Sequence, residues 1–303
     1  MKVKTLFNWT KRPLVMSALL IIMSACGKPD TKSAPSDLEV LSERVRNLDL
    51  SYCKSGEVQW VCQREADGDA ALWNGLTCLG TGDSVACNAL KDFIEPDGRP
   101  RRTPQRRGTF EQDSYSRDMF LGFLAGMLKT RDVDTFNRVL NYLDANNEKL
   151  CPMSEDGRCN LSNVTKTLAV KVGKAIGSQH PILVKWGDGD LNLQLFAQSK
   201  VIPVGYQHHL VGVSLWLLKE LRALDARGEA ATEQLHKSQP KNAFFAWLAG
   251  DHASAANLGA SQCPVGRTAD HNRWTFNTRD DEQPWTGSIG WEFKVLLNLL
   301  ERK

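Results

Sequence analysis

The chain has 303 residues, with 38 basic against 35 acidic side chains and a formal net charge of +3. Lys2, Lys4, Lys11 and Arg12 all fall in the first 26 residues, which hold no acid, so the rest is formally −1. That excludes general nucleic-acid binding, which needs a broad basic surface, while roughly 275 residues suffice to bury a large core in one domain.

Behind the basic start runs an apolar stretch, Leu14 to Met23, too short to cross a bilayer, and then Met23-Ser24-Ala25-Cys26. This ending resembles the lipobox of bacterial lipoproteins. The resemblance implies a signal peptide over residues 1–26, with diacylated Cys26 as the mature N-terminus and the membrane as a partner through that lipid. An ordinary secretory signal cleaved after Ala25 is the alternative. Each buried acyl methylene contributes about 0.8 kcal/mol, so two or three chains would anchor the protein firmly. Gly27 after the cysteine, by resemblance to enterobacterial sorting, implies the outer membrane, facing the periplasm. Residues 27–37 are polar, contain Pro29 and Pro35, and read as a tether. The folded domain is then 38–303.

Helical periodicity of two kinds dominates that domain. Leu38, Leu41, Val45 and Leu48 form a single apolar stripe, whereas Ala70–Leu79 is apolar nearly all round. Val85, Leu90 and Phe93 make a second stripe. Ser116 is a ready N-cap for the next helix, and Asp118 suits the positive end of its dipole. From Met119 to Leu128 that helix has no polar face, so burial on every side is expected. Gly122 and Gly126 lie on one side of it and permit close approach by a neighbour. A stripe follows at Phe136, Val139, Leu140 and Leu143, and the all-round kind returns at Leu210–Leu218 and Ile289–Leu300. Buried or partly buried helices start near Asp69, Asp118, Thr165, Tyr206, Ala243 and Ser288, at intervals of 49, 47, 41, 37 and 45 residues. Each interval accommodates a helical hairpin, and alternating burial is what an inner and an outer ring of helices require. Six hairpins would close such a ring, with the Leu38–Leu48 helix beside the last. The unit from Val164 to Pro203 is the least regular, and Trp186-Gly-Asp-Gly-Asp190 reads as loop. A looser bundle or solenoid is the alternative architecture.

Without Cys26, seven cysteines remain. Cys53 and Cys62, Cys78 and Cys87, and Cys151 and Cys159 are close in sequence across turn-like stretches. Local pairing is the simplest arrangement, although spacing alone fixes no connectivity. Cys263 is left over. No Cys-x-x-Cys occurs and no histidine clusters with the cysteines, so no metal is expected. Asp-Gly-Asp at 67–69 and 188–190 lacks the full ligand ladder of a calcium loop. No phosphate loop, nucleophile elbow or His-Glu-x-x-His helix is present, and no cofactor is expected.

Two long irregular regions lead into buried helices. Residues 95–115 carry Arg99, Arg101, Arg102, Arg106 and Arg107; residues 260–287 carry Arg267, His271, Trp274 and Trp285. Asp-Gly-Asp69-Ala-Ala-Leu-Trp73-Asn-Gly75-Leu, Ser116-Arg-Asp118-Met-Phe-Leu-Gly122, Asn242-Ala-Phe-Phe-Ala-Trp247-Leu and Gly290-Trp291-Glu-Phe resemble segments of α/α-toroid proteins of the six-hairpin glycosidase type. They resemble most an uncharacterised group of exported bacterial proteins with that architecture. The resemblance implies an all-α, single-domain toroid with a glycan site at one rim, lined by acids and aromatics. It matches no complete catalytic signature of a characterised family, so fold transfers better than reaction.

If the inner helices all point one way, their first turns share a rim. Asp69 and Asp118 are then the first catalytic pair, with Glu292 in reserve. Glycosidic carboxyls stand about 6.5–9.5 Å apart for inversion and about 5–5.5 Å for retention. Arg117, Tyr206, His208, Trp285, Trp291 and Arg102 are the expected substrate contacts. Tyr206 with His208 also resembles the base and acid of toroid polysaccharide lyases, whose uronate carboxylates suit an arginine-rich loop. Taken singly, each carboxylate is better explained as a helix cap. Trp73, Trp216 and Trp247, in apolar surroundings, are expected in the core; Trp274, Trp285 and Trp291 are better placed to stack on a sugar. The alternative to an enzyme is a lipoprotein that binds a glycan or a protein on the same scaffold.

Overall fold

The computed structural model describes residues 34–50, 52–62, 69–104, 115–151, 159–265, 274–280 and 288–302. Among them the chain is all-α apart from one two-stranded hairpin. The signal and the first part of the tether, residues 1–33 including Cys26, lie outside the described residues, as do Asp67, Arg106, Arg107, Arg267, His271 and Trp285, whereas the end of the expected tether already caps and opens a helix. No helix among the described residues is long and apolar enough to cross a membrane.

Helix α1, Asp37–Arg46, opens on a capping box in which Ser36 and Glu39 satisfy each other's backbone donors. Strands β1, Tyr52–Ser55, and β2, Val58–Val61, pair antiparallel with Tyr52 opposite Val61 and Cys53 opposite Trp60. Gly56, at φ 61°, makes the turn between them. Helix α2, Ala70–Thr81, is buried from Ala70 through Gly80 and stops at Gly82 in the left-handed region. Asn74, on α2, receives the amide of Val61 at 2.8 Å and donates to its carbonyl at 2.7 Å, docking the end of the hairpin. Helix α3, Ser84–Asp92, presents one apolar stripe.

Helix α4, Arg117–Thr130, is buried from Met119 to Met127, as its lack of a polar face predicts. It meets α2 backbone to backbone. A Cβ built on Gly75 would lie 1.7 Å from the Gly122 carbonyl oxygen, and one on Gly122 would lie 2.3 Å from the Leu72 Cα. One turn on, Gly126 receives the side chain of Leu90 from α3.

The remaining helices are α5 (Val133–Ala145), α6 (Asn163–Ile176), α7 (Pro181–Trp186), α8 (Leu191–Val201), α9 (Tyr206–Glu220), α10 (Ala226–Ser238), α11 (Ala243–Leu248), α12 (His252–Gln262) and α13 (Trp291–Glu301). Two burial types alternate: α2, α4, α6, α9, α11 and α13 are largely buried, while α3, α5, α10 and α12 bury one side. The irregular unit holds two helices, α7 and α8, between α6 and α9. Asp188 pairs there with Lys171 at 2.8 Å and Lys174 at 2.9 Å, and Asp190 caps α8. Packing runs from α2 to α4, from α4 to α6 and α9, from α9 to α11, from α11 to α13, and from α13 back to α2. Helix α1 lies against α12 and α13.

Three disulfides join Cys53 to Cys62, Cys78 to Cys87 and Cys151 to Cys159, with Cα separations of 5.4, 4.8 and 5.3 Å. The first staples the hairpin and the second ties α2 to α3. Cys263 is a buried free thiol, pushed up to about 12 by burial and the nearby Glu292 carboxyl. Trp73, Trp216 and Trp247 are all core residues.

Candidate functional site

Asp69, Arg102, Asp118, Tyr206, Arg117 and Gln207 line one cavity of about 210 Å³. They come from the residue preceding α2, from the segment after α3, and from the first turns of α4 and α9. Asp69 occupies the N-cap position of α2, yet its side chain makes no cap hydrogen bond. Its Oδ1 instead lies 3.5 Å from Nη1 of Arg102. Arg102 is aimed by its neighbour: the Arg101 amide donates to the Phe93 carbonyl at 2.6 Å, and the buried Arg101 guanidinium pairs with Glu95 at 3.2 Å.

Asp118, in the first turn of α4, does not cap its helix either. One oxygen accepts the hydroxyl of Ser116, the other that of Tyr206. Ser116 stands at the N-cap position but spends its hydroxyl on Asp118. Tyr206 is the first residue of α9, and Gly205 before it has φ 110°, a conformation that favours glycine. The Asp118–Tyr206 contact thus fastens the starts of two helices whose sequence positions differ by 88. Burial pushes the Tyr206 phenol far above the usual range, reinforced by the Asp118 and Asp69 charges and only partly opposed by Arg102. Tyr206 is therefore a proton-holding donor and not a phenolate. Arg117 is exposed, and among the described residues it makes no hydrogen bond or ion pair.

Other expected site residues are placed elsewhere. Glu292 is fully buried; its Oε1 accepts the Thr275 amide at 2.9 Å and the Ser288 hydroxyl at 2.8 Å. Burial raises its pKa, and this core carboxyl is no reserve for the rim. The helix of Glu292 starts at Trp291, three residues after the expected Ser288. Its carboxyl turns inward because Ser288 and Gly290 fold the preceding backbone over it. Trp291 packs under Tyr52 of the hairpin at 5.1 Å and carries Lys294 over its ring, so it is no open stacking platform. Trp274 stacks on Trp73 at 4.9 Å inside the core. His208 is buried outside the cavity, and burial lowers its pKa. Its neighbour His209 lies between Trp73 and Phe244 and is pulled down to about 3 by burial.

Gln207 lines the cavity without having been expected there. Its only sequence signal was its place beside Tyr206 in a first turn. Among the described residues no cluster of His, Cys, Asp and Glu could hold a metal ion. No family model, no curated protein and no solved structure matches the chain.

Proposed function

We propose that the chain is a carbohydrate-active protein built as an α/α toroid of the six-hairpin type, hydrolysing a glycan through Asp69 and Asp118. The return of α13 onto α2, after a succession of largely buried helices, supports a closed ring over an open solenoid. One observation carries the catalytic reading: two carboxylates from different helices line one cavity, and neither caps its own helix. Glycoside hydrolysis needs one ionised and one protonated carboxyl. Asp118, held in place by two hydroxyl donors, is the candidate base or nucleophile. Asp69 is the candidate acid and must release its contact with Arg102 to carry a proton. The lyase alternative is weaker, because Tyr206 holds its proton too firmly to serve as base and His208 does not reach the cavity.

A second reading, glycan binding without turnover, is favoured by the fact that both carboxylates already have partners. A polysaccharide panel assayed by reducing ends and by absorbance of unsaturated products separates the two. Hydrolysis is expected, with Asp118→Asn and Asp69→Asn each lowering kcat by about a hundredfold or more. Binding without product from any polymer would leave the second reading standing. Anchoring to the envelope through acylated Cys26 is proposed on the sequence of residues 1–37.

A further inference from the structure

A second cavity, also of about 210 Å³, adjoins the first and shares Arg117, Gln207 and Leu210 with it. Its other polar groups are Gln198, Ser162, Thr165 and Ser214, and the rest of its lining is aliphatic. The contrast in charge is sharp. The first cavity has two carboxylates facing two arginines, whereas the second has one arginine and no carboxylate at all. Ser162 and Thr165 bond each other, and Ser214 donates to the Leu210 carbonyl, so those hydroxyls are engaged. Arg117, Gln198 and Gln207 are the groups left with unused donors among the described residues.

The helix axes add to the same field. Arg117 is the first residue of α4, Ser162 and Thr165 belong to the start of α6, and Gln207 lies in the first turn of α9. The first turns of three helices thus border one space, a setting that stabilises an anion, and they outnumber the single last turn, that of α8, which reaches it through Gln198 and Ile202. A guanidinium shared with the first cavity, two carboxamides and aliphatic walls together match a sugar ring that bears a carboxylate.

Resting on the glycan reading above, we infer that the second cavity is a subsite for a carboxylate-bearing sugar, its acid group held by Arg117 beside the Asp69–Asp118 cavity. The ligand class is an acidic glycan, either a uronate polymer or a strand containing a lactyl-ether sugar acid such as N-acetylmuramate.

Calorimetric titration of the intact protein tests this with matched pairs. The probes are tetragalacturonate and its methyl ester, a tetraglucuronate and its methyl ester, and a muramate-containing tetrasaccharide and its methyl ester. At least one acid is expected to bind about tenfold or more tighter than its ester, an advantage shrinking with added salt. The pair that responds tells uronate from muramate. Arg117→Gln should abolish the preference, and Arg117→Lys should restore part of it. Because Arg117 is exposed and makes no hydrogen bond or ion pair among the described residues, thermal melts of both variants should overlay the wild type. Equal binding of acid and ester in all three pairs overturns the inference, as does a preference untouched by Arg117→Gln. A preference for acids in a protein that hydrolyses nothing would sustain the subsite and sink only the hydrolase. Turnover of neutral glycans with no such preference would do the reverse.

Discussion

His209 and Glu292 are buried titratable groups whose protonation opposes ordinary behaviour, and they act on stability in opposite directions. His209 is held neutral down to about 3, against an ordinary 6.5. Between those two values the unfolded chain binds a proton that the native protein refuses, so stability falls as pH falls below about 6.5. The slope from this one side chain is at most about 1.4 kcal/mol per pH unit. Glu148, lowered to about 2 by Lys166 and Lys185, adds a loss in the same direction once pH drops below its ordinary value of 4.5. Glu292 works the other way. Its raised native pKa means that stability is lost as pH climbs from 4.5 through that raised value. As pH falls from 7.5 to 4.5, the urea midpoint of His209→Phe should therefore rise relative to that of wild type, because the variant lacks the histidine's acid-side loss. A midpoint in His209→Phe that still tracks wild type over the window would show that the histidine is not the cause.

The α2–α4 crossing makes a sharper demand than any other helix contact. At Gly122 an added Cβ would strike only backbone, Leu72 Cα at 2.3 Å and the Ala71 carbonyl at 2.6 Å. At Gly126 the nearest obstacle is the tip of Leu90, which can swing away. Replacing glycine by alanine inside a helix gains about 1 kcal/mol in propensity. Gly126→Ala should therefore be close to neutral, whereas Gly122→Ala should cost about 3 kcal/mol, because two helices must separate. Denaturant unfolding of both variants checks this, and equal effects would refute the close crossing. These helices were readable from sequence, since ten apolar residues in a row on α4 admit only burial. The starts expected at Asp69, Asp118, Tyr206 and Ala243 fall within a residue of those observed. The β1–β2 hairpin escaped notice because four-residue strands leave too little alternation to register. It matters for the site, since Tyr52 is what covers Trp291. Asp69 and Asp118 were legible as first-turn acids at a buried entrance. Glu292 carried the same local signal, but the direction of its side chain depends on Ser288 and the Thr275 amide, a contact spanning 17 residues that no local pattern encodes.

All three disulfides close short loops, with partners eight or nine residues apart, so none of them holds distant parts of the chain together. The proposed anchor is testable for the protein as a whole. Cells fed an alkyne palmitate should yield labelled protein in the membrane fraction, and Cys26→Ala should abolish the label and release the chain in soluble form. Label retained by Cys26→Ala would refute acylation at that residue. The contact between α13 and α2 has a different bearing. Arg302, next to the last residue, donates to the Leu79 carbonyl at 2.8 Å, while α1 waits on α12 and α13 for its own cover. Helices α1 and α2 therefore have no complete packing surface until α12 and α13 are in place. Short disulfide-closed loops can settle early, but the hydrophobic flanks of α1 and α2 stay open to chaperones and proteases until α12 and α13 have docked.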